Sequence, residues 1–220
     1  MPRLIRLGVR PSPLAIKQAR EIEGMLSSVV FELIRIETRG DKDKSTSFSH
    51  IEGSDFFTRE IEEALIRGDI DAAVHSAKDL QEYIPAQLKV AAITASISPY
   101  ECLISRDNIR LDELLPGARI GTSSSKRKGA LLKYRRDFKI CDLRGNIEER
   151  ISQLDRGDFD AIIVAHAALI RLGCENRIAQ FIPQEIIPAH PLQGSLAVEV
   201  RADDAELIKL FSALDVYRRK

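Results

Sequence analysis

The chain carries no surplus of either charge, because thirty-three Lys and Arg balance thirty-three Asp and Glu over 220 residues. This argues against a general binder of nucleic acid or of membrane surfaces. Any anion site must therefore be a local gathering of Arg and Lys. Cysteine is scarce, and Cys102, Cys141 and Cys174 are odd in number, widely spaced and without the paired C-x-x-C or His spacing of a zinc site. A reduced, cytoplasmic protein without a structural metal is expected. Apolar runs long enough to span a bilayer are missing, and the first seven residues hold no signal-peptide core, so secretion is not expected. Neither a repeat nor a low-complexity segment stands out. Length and apolar content suit one large domain or two ordinary ones.

The densest polar chemistry follows a short apolar run. Ala72–Val74 reads as a buried strand ending in His75, Ser76, Lys78 and Asp79. In open α/β sheets ligands bind outside the carboxyl ends of strands, which would set these four residues on a crevice. A polar loop with Asp79 capping a following helix is the plainer alternative. Leu4–Val9 is a further expected strand, broken at Arg10-Pro11, and Ser12-Pro13 reads as an N-cap with Pro in the first helical position. Val29–Glu37 is expected to be extended and to deliver Thr38-Arg39-Gly40-Asp41, with a loop over 42–49 able to act as a lid. Phe56 and Phe57 read as core residues of a helix ending near Gly68. After a linker at Ser96–Pro99 the same alternation restarts, the mark of a largely parallel sheet. Gly121-Thr122-Ser123-Ser124-Ser125-Lys126-Arg127-Lys128 opens a helix with hydroxyls and three cations, a pattern suited to a carboxylate or phosphate. Arg144-Gly145-Asn146, Arg150 and Arg171 repeat the theme of an Arg behind a strand. The Pro-rich stretch 181–194 reads as a second linker. Two lobes with a cleft between them are expected, one formed by residues 1–96 and 195–220 and the other by 100–190. Many cations around one carboxylate imply a ligand with several acid groups, and a lone Asp79 suited to stabilising a developing positive charge.

Ser12-Pro13-Leu14-Ala15 with Gln18, Thr38-Arg39-Gly40-Asp41, His75-Ser76-Ala77-Lys78-Asp79, Gly121-Thr122-Ser123-Ser124, Leu143-Arg144-Gly145-Asn146 with Arg150, and Arg171-Leu172-Gly173 follow one another in the order of the porphobilinogen deaminases. The chain resembles that family over essentially its whole length. The resemblance implies an α/β protein of two lobes with the type II periplasmic-binding-protein-like fold and a central cleft. It also implies head-to-tail condensation of four porphobilinogen molecules, with loss of ammonia, onto a dipyrromethane cofactor. By the same resemblance Asp79 is the catalytic carboxylate, and Ser76, Lys78, Thr122, Ser123, Ser124, Lys126, Arg127, Arg144 and Gly145 hold the cofactor. Arg10, Ser12, Arg144, Arg150 and Arg171 bind substrate carboxylates. Porphobilinogen is the expected partner, without nucleic acid, membrane or metal, and the protein is expected to be a monomer. Family members carry a third domain whose cysteine anchors the cofactor. This chain ends before it, and none of its three cysteines matches. The expectation is a short form that holds its cofactor without that thioether; a polycarboxylate or pyrrole-binding protein without turnover is the alternative.

Overall fold

The computed structural model describes residues 3–27, 29–43, 55–81 and 83–217. These divide into two compact units, one drawn from residues up to 43, 55–97 and 194 onward, the other from 98–193. Each unit is a five-stranded mixed sheet.

In the first unit β1 (Leu4–Val9) runs parallel to β2 (Val30–Arg35) and to β3 (Ala72–Ser76), and β10 (Leu196–Arg201) lies antiparallel between β3 and β4 (Leu88–Ile93). Period-two alternation sends Ile5, Leu7, Val9, Val74 and Val198 to one face. There Ala19 and Ile22 of α1 (Pro13–Met25) and Leu207 and Phe211 of α7 (Ala205–Ser212) close the core. Ala73 and Ile70 pack on the opposite face against Ile61, Ala64 and Leu65 of α3 (Arg59–Arg67). Helix α1 begins as its sequence dictates: Ser12 is extended, its hydroxyl accepts the Ala15 N–H at 3.2 Å, and Pro13 follows.

In the second unit β6 (Arg119–Gly121) is parallel to β7 (Lys139–Cys141) and β8 (Ala161–Ala165), while β5 (Glu101–Ser105) lies antiparallel between β8 and β9 (Gln180–Ile182). Its helices are α4 (Ser125–Tyr134), α5 (Ile147–Asp155) and α6 (His166–Leu172). The strand orders β2-β1-β3-β10-β4 and β7-β6-β8-β5-β9 therefore have the same directions position by position.

A repeat in the sequence underlies this likeness, and composition alone did not disclose it. Arg6-Leu7-Gly8 pairs with Arg119-Ile120-Gly121, and Arg67-Gly68-Asp69-Ile70-Asp71-Ala72 pairs with Arg156-Gly157-Asp158-Phe159-Asp160-Ala161. The same contacts recur. Arg6 binds Asp71 through its backbone N–H and guanidinium and reaches the Gly68 carbonyl at 2.7 Å; Arg119 binds Asp160 in the same way and reaches Gly157 at 2.9 Å. A Cβ on Gly8 would meet Ile70 at 2.3 Å and one on Gly121 would meet Phe159 at 3.1 Å, so each first strand is thinned to admit a large residue.

The two aspartates make stability pH-dependent. Burial pushes the Asp71 carboxyl up, but the Arg6 hydrogen bonds and charge outweigh it and hold it below the usual range; at Asp160 the Arg119 hydrogen bond dominates in the same direction. A carboxyl lowered in the folded state contributes stability in full above its unfolded pKa and loses it as pH falls toward the folded value. The urea midpoint is expected to drop between about pH 5 and pH 2. Asp71→Asn should flatten that drop; an unaltered profile in the variant would remove Asp71 from the account.

Several expectations change. The sheets are mixed rather than largely parallel, because β10 and β5 return antiparallel to the parallel trio. The stretch from 181, expected as linker, begins within the edge strand β9. Arg39-Gly40-Asp41, delivered after the strand, and Lys42, expected to start a loop, form the single-turn helix α2 (Arg39–Lys42), while 44–49 of the expected lid lie outside the described residues, as do Gly53 and Ser54. No helix among the described residues is long and apolar enough to cross a membrane.

Candidate functional site

In the first unit the parallel pairing of β1 with β3, Leu7 opposite Ala72 and Gly8 opposite Ala73, brings their carboxyl ends to one sheet edge. Arg10 and Ser12 leave β1 there, and Ser76, Lys78 and Asp79 leave β3. Ser76 Oγ accepts a 2.9 Å hydrogen bond from Gln18 Nε2, which ties α1 to the end of β3. The chain then makes one 3₁₀ turn, Ala77–Asp79, and continues extended at Leu80, so no helix follows for Asp79 to cap. Ala77 N–H donates to the Ser195 carbonyl at 3.0 Å, fixing the turn to β10. The Asp79 side chain is exposed, and among the described residues no hydrogen bond or ion pair engages its carboxylate. The repeat aligns Lys78 and Asp79 with Ala167 and Ala168, so this acid belongs to the first unit alone.

His75 does not join that edge. Strand alternation turns it to the α3 face, where it is 6% exposed and its Nε2 lies 3.4 Å from Oε2 of the fully buried Glu199. Burial, followed by the charge of Glu199, raises the Glu62 carboxyl of α3 above its usual range. Glu199 and Glu62 gave no sign in the sequence, since Glu on a strand or helix reads as solvated surface until its partners are placed.

Arg10 is held in an unforeseen way. Its Nη2 donates to Asp41 Oδ1 at 2.6 Å, and its guanidinium carbon stands 4.4 Å from the centre of the Phe57 ring. Phe57, expected in a helical core, lies in a 3₁₀ turn, packed edge-to-face on Phe56 at 5.5 Å.

In the second unit the parallel trio β7-β6-β8 likewise gathers the segments after Gly121, Cys141 and Ala165. Thr122 is buried, and its N–H donates to the Cys141 carbonyl at 2.9 Å. Ser123 Oγ accepts from the Leu143 N–H at 3.0 Å and donates to the Leu143 carbonyl, binding the two loops together. Gly145 adopts φ +100°, and a Cβ there would lie 2.5 Å from Glu149 Oε2; Glu149 with Asn146 forms the capping box that opens α5. Arg150 Nε donates to the Gly145 carbonyl at 2.8 Å, and Arg144 precedes it half-buried. Ser124 is the N-cap of α4 but makes no side-chain cap bond, and Lys126 and Lys128 stand exposed in the first turn. A helix N-terminus carrying cations rather than acids is destabilised by its own dipole and suits an anion. Arg171 lies in the last turn of α6.

Arg127 is the exception. Its Nε and Nη2 donate to Glu101 at 3.0 and 2.6 Å, its Nη1 donates to the Ile163 carbonyl at 3.3 Å, and its side chain is only 12% exposed. It is bound within its own unit. A groove of about 480 Å³ lined by Arg110, His166, Glu175 and Phe181 includes none of the expected site residues. Of the cysteines, Cys102 is buried, which, with Glu101 beside it, pushes its thiol up to about 12. Cys141 and Cys174 turn their sulfurs to the carbonyls of Lys139 and Leu172 at 3.6 Å.

Dipyrromethane, whose side chains are acetates and propionates, fits this donor set. Hydroxyls and cations recur at the strand ends of the second unit, where Lys126 and Lys128 are exposed and Arg144 and Arg150 half-buried, with Asp142 the exposed acid among them.

Solved structures support the fold. The periplasmic substrate-binding protein of an ABC transporter from Coxiella burnetii covers 96% of this chain and 91% of its own at a TM-score of 0.55 with 19% identity. The periplasmic VFT2 domain of BvgS from Bordetella pertussis does so at 95% and 85%, with a TM-score of 0.54 and 15% identity. The two α/β units thus have the periplasmic-binding-protein type of fold. Sequence relatives go further. The porphobilinogen deaminase of Brevibacillus brevis is 41% identical over 214 residues, covering 96% of this chain and 69% of the relative. That of Pelotomaculum thermopropionicum is 40% identical over 219 residues, covering 98% and 70%. The family model described as "Porphobilinogen deaminase, dipyromethane cofactor binding domain" matches residues 5–209. The chain belongs to the porphobilinogen deaminase family.

Proposed function

We propose that this transferase of tetrapyrrole biosynthesis condenses porphobilinogen with Asp79 as its catalytic carboxylate. The observation that carries this role is an exposed acid, free of hydrogen bonds and ion pairs among the described residues, at the end of β3 beside Lys78. A carboxylate so placed can stabilise the cation that develops on the substrate as ammonia leaves, and can hand a proton to the departing amine. An acid already committed to an arginine, such as Asp41 or Asp71, has no such freedom.

Lys78, Lys126 and Arg144, with the hydroxyls of Ser76, Thr122, Ser123 and Ser124 and the backbone at Gly145, would hold the acetate and propionate groups of dipyrromethane. When bound, this cofactor supplies the pyrrole carbon to which substrate is joined. Arg10, Arg150 and Arg171, with Ser12, would bind substrate carboxylates, since guanidinium offers each a planar fork. Arg127 contributes less directly, because its fork is filled by Glu101.

The intact mass of the denatured protein, measured before and after incubation with porphobilinogen, tests this reading. A mass above that of the bare polypeptide by two or more pyrrole units, surviving denaturation, identifies a covalently held cofactor, and peptide mapping names its anchor. A bare polypeptide mass with porphobilinogen consumed identifies a cofactor held non-covalently. A bare mass with no consumption counts against turnover by this chain.

A further inference from the structure

Arg10 and Arg127 are both gripped by a carboxylate, yet they differ in what is left over. Asp41 takes the Nε and Nη2 edge of Arg10, at 3.2 and 3.3 Å from Nε to its two oxygens and 2.6 Å from Nη2. Glu101 takes the same edge of Arg127, but there the Ile163 carbonyl also claims Nη1. Guanidinium carries five N–H donors. At Arg10 the two on Nη1 make no hydrogen bond among the described residues, and its side chain is 31% exposed against 12% at Arg127. The terminal edge of Arg10, formed by Nη1 and Nη2, is thus the one still available to a bidentate carboxylate.

We propose that Asp41 is a positioning residue which fixes the Arg10 guanidinium so that this terminal edge faces the substrate carboxylate. The inference rests on the reading of Arg10 as a substrate-binding residue. Three further contacts make the arrangement stiff. Thr38 donates to Asp41 from its backbone N–H at 3.0 Å and from its hydroxyl at 2.8 Å. Phe57 lies under the guanidinium as a cation–π partner. That approach requires Gly40, because a Cβ there would fall 1.9 Å from Phe57 Cε1. Burial pushes the Asp41 carboxyl up, but Arg10 and Thr38 outweigh it and hold it below the usual range, so it is ionised at neutral pH. A long side chain ordered before its ligand arrives loses less freedom on binding. Asp41 does not compete for the ligand, because a carboxylate on the terminal edge leaves the Nε edge undisturbed.

The test uses the full chain and two readouts: the dissociation constant of porphobilinogen, titrated in an Asp79→Asn background where consumption is slow, and kcat and KM with Asp79 intact. Asp41→Asn is expected to raise the dissociation constant and KM about tenfold while kcat stays within about twofold. In an Arg10→Gln background the same change should add nothing, because Asp41 acts through Arg10. Thr38→Val, which keeps the ion pair and the backbone N–H bond but removes one of the contacts that stiffen Asp41, should weaken binding less than Asp41→Asn does. If Asp41→Asn does not fold, Asp41→Glu retains the charge but displaces it by one methylene, and should also weaken binding. The assignment is overturned if Asp41→Asn leaves binding unchanged or tightens it, if its effect persists without Arg10, or if Thr38→Val weakens binding as much as Asp41→Asn. Arg10→Gln alone with an unchanged dissociation constant would refute the reading of Arg10 itself, and no Asp41 variant is needed to see it.

Discussion

Asp79→Asn is expected to lower turnover of porphobilinogen by about 10²–10⁴-fold, the range over which positioned acid–base groups act. Asn keeps the shape and a hydrogen-bonding carbonyl. It cannot offset a positive charge developing on the substrate, and it cannot carry a proton to the leaving ammonia. Folding should be unaffected, since the carboxylate is exposed and makes no hydrogen bond or ion pair among the described residues. The unfolding midpoint measured beside kcat separates the two effects. Turnover close to that of the parent, with an unchanged midpoint, would move the catalytic role away from Asp79 and favour a protein that binds polycarboxylates without converting them. The second unit supplies an internal control, because its corresponding position is Ala168 and the same fold stands there without an acid.

The largest effect on stability is expected at Glu101. Glu101→Ala should cost about 3–5 kcal/mol, the penalty for stranding a buried charge when its partner is removed. Both side chains qualify, at 12% and 8% exposure with the shorter contact at 2.6 Å. Arg127 would keep only the Ile163 carbonyl. Urea unfolding followed by a probe in the second unit measures the loss. A double change that also replaces Arg127 with Met should recover much of it, because the penalty arises from the orphaned guanidinium more than from the missing bond. A loss below about 1 kcal/mol, the value of a surface pair, would mean that water reaches this guanidinium. Loss of cofactor retention in the double variant, with stability recovered, would restore Arg127 to the binding set.

Much of this protein was legible because local rules acted alone. Ser12-Pro13 predicts the start of α1, and the apolar run Ala72–Val74 predicts a strand ending in polar residues; both need only neighbours a few residues away. The motifs around Asp79, Ser123 and Arg144 pointed to the family for the same reason, being short and contiguous. The antiparallel return of β10 and β5 was beyond local reading, since strand direction within a sheet is set by pairings between distant segments such as Ala197 with His75. The repeat escaped because its shared residues are few and scattered. Only the matching grips of Arg6 on Asp71 and Arg119 on Asp160 make it plain.

Charged residues divide most sharply along this line. The sequence by itself determined which cations and acids exist and where the strands that deliver them end. Tertiary structure decided which of them were already engaged. It paired Arg10 with Asp41 across thirty-one residues and Arg127 with Glu101 across twenty-six, and it turned His75 inward toward Glu199. The physical reason is that an arginine is defined functionally by which of its five donors remain, and that remainder depends on side chains brought close by folding rather than by order in the chain.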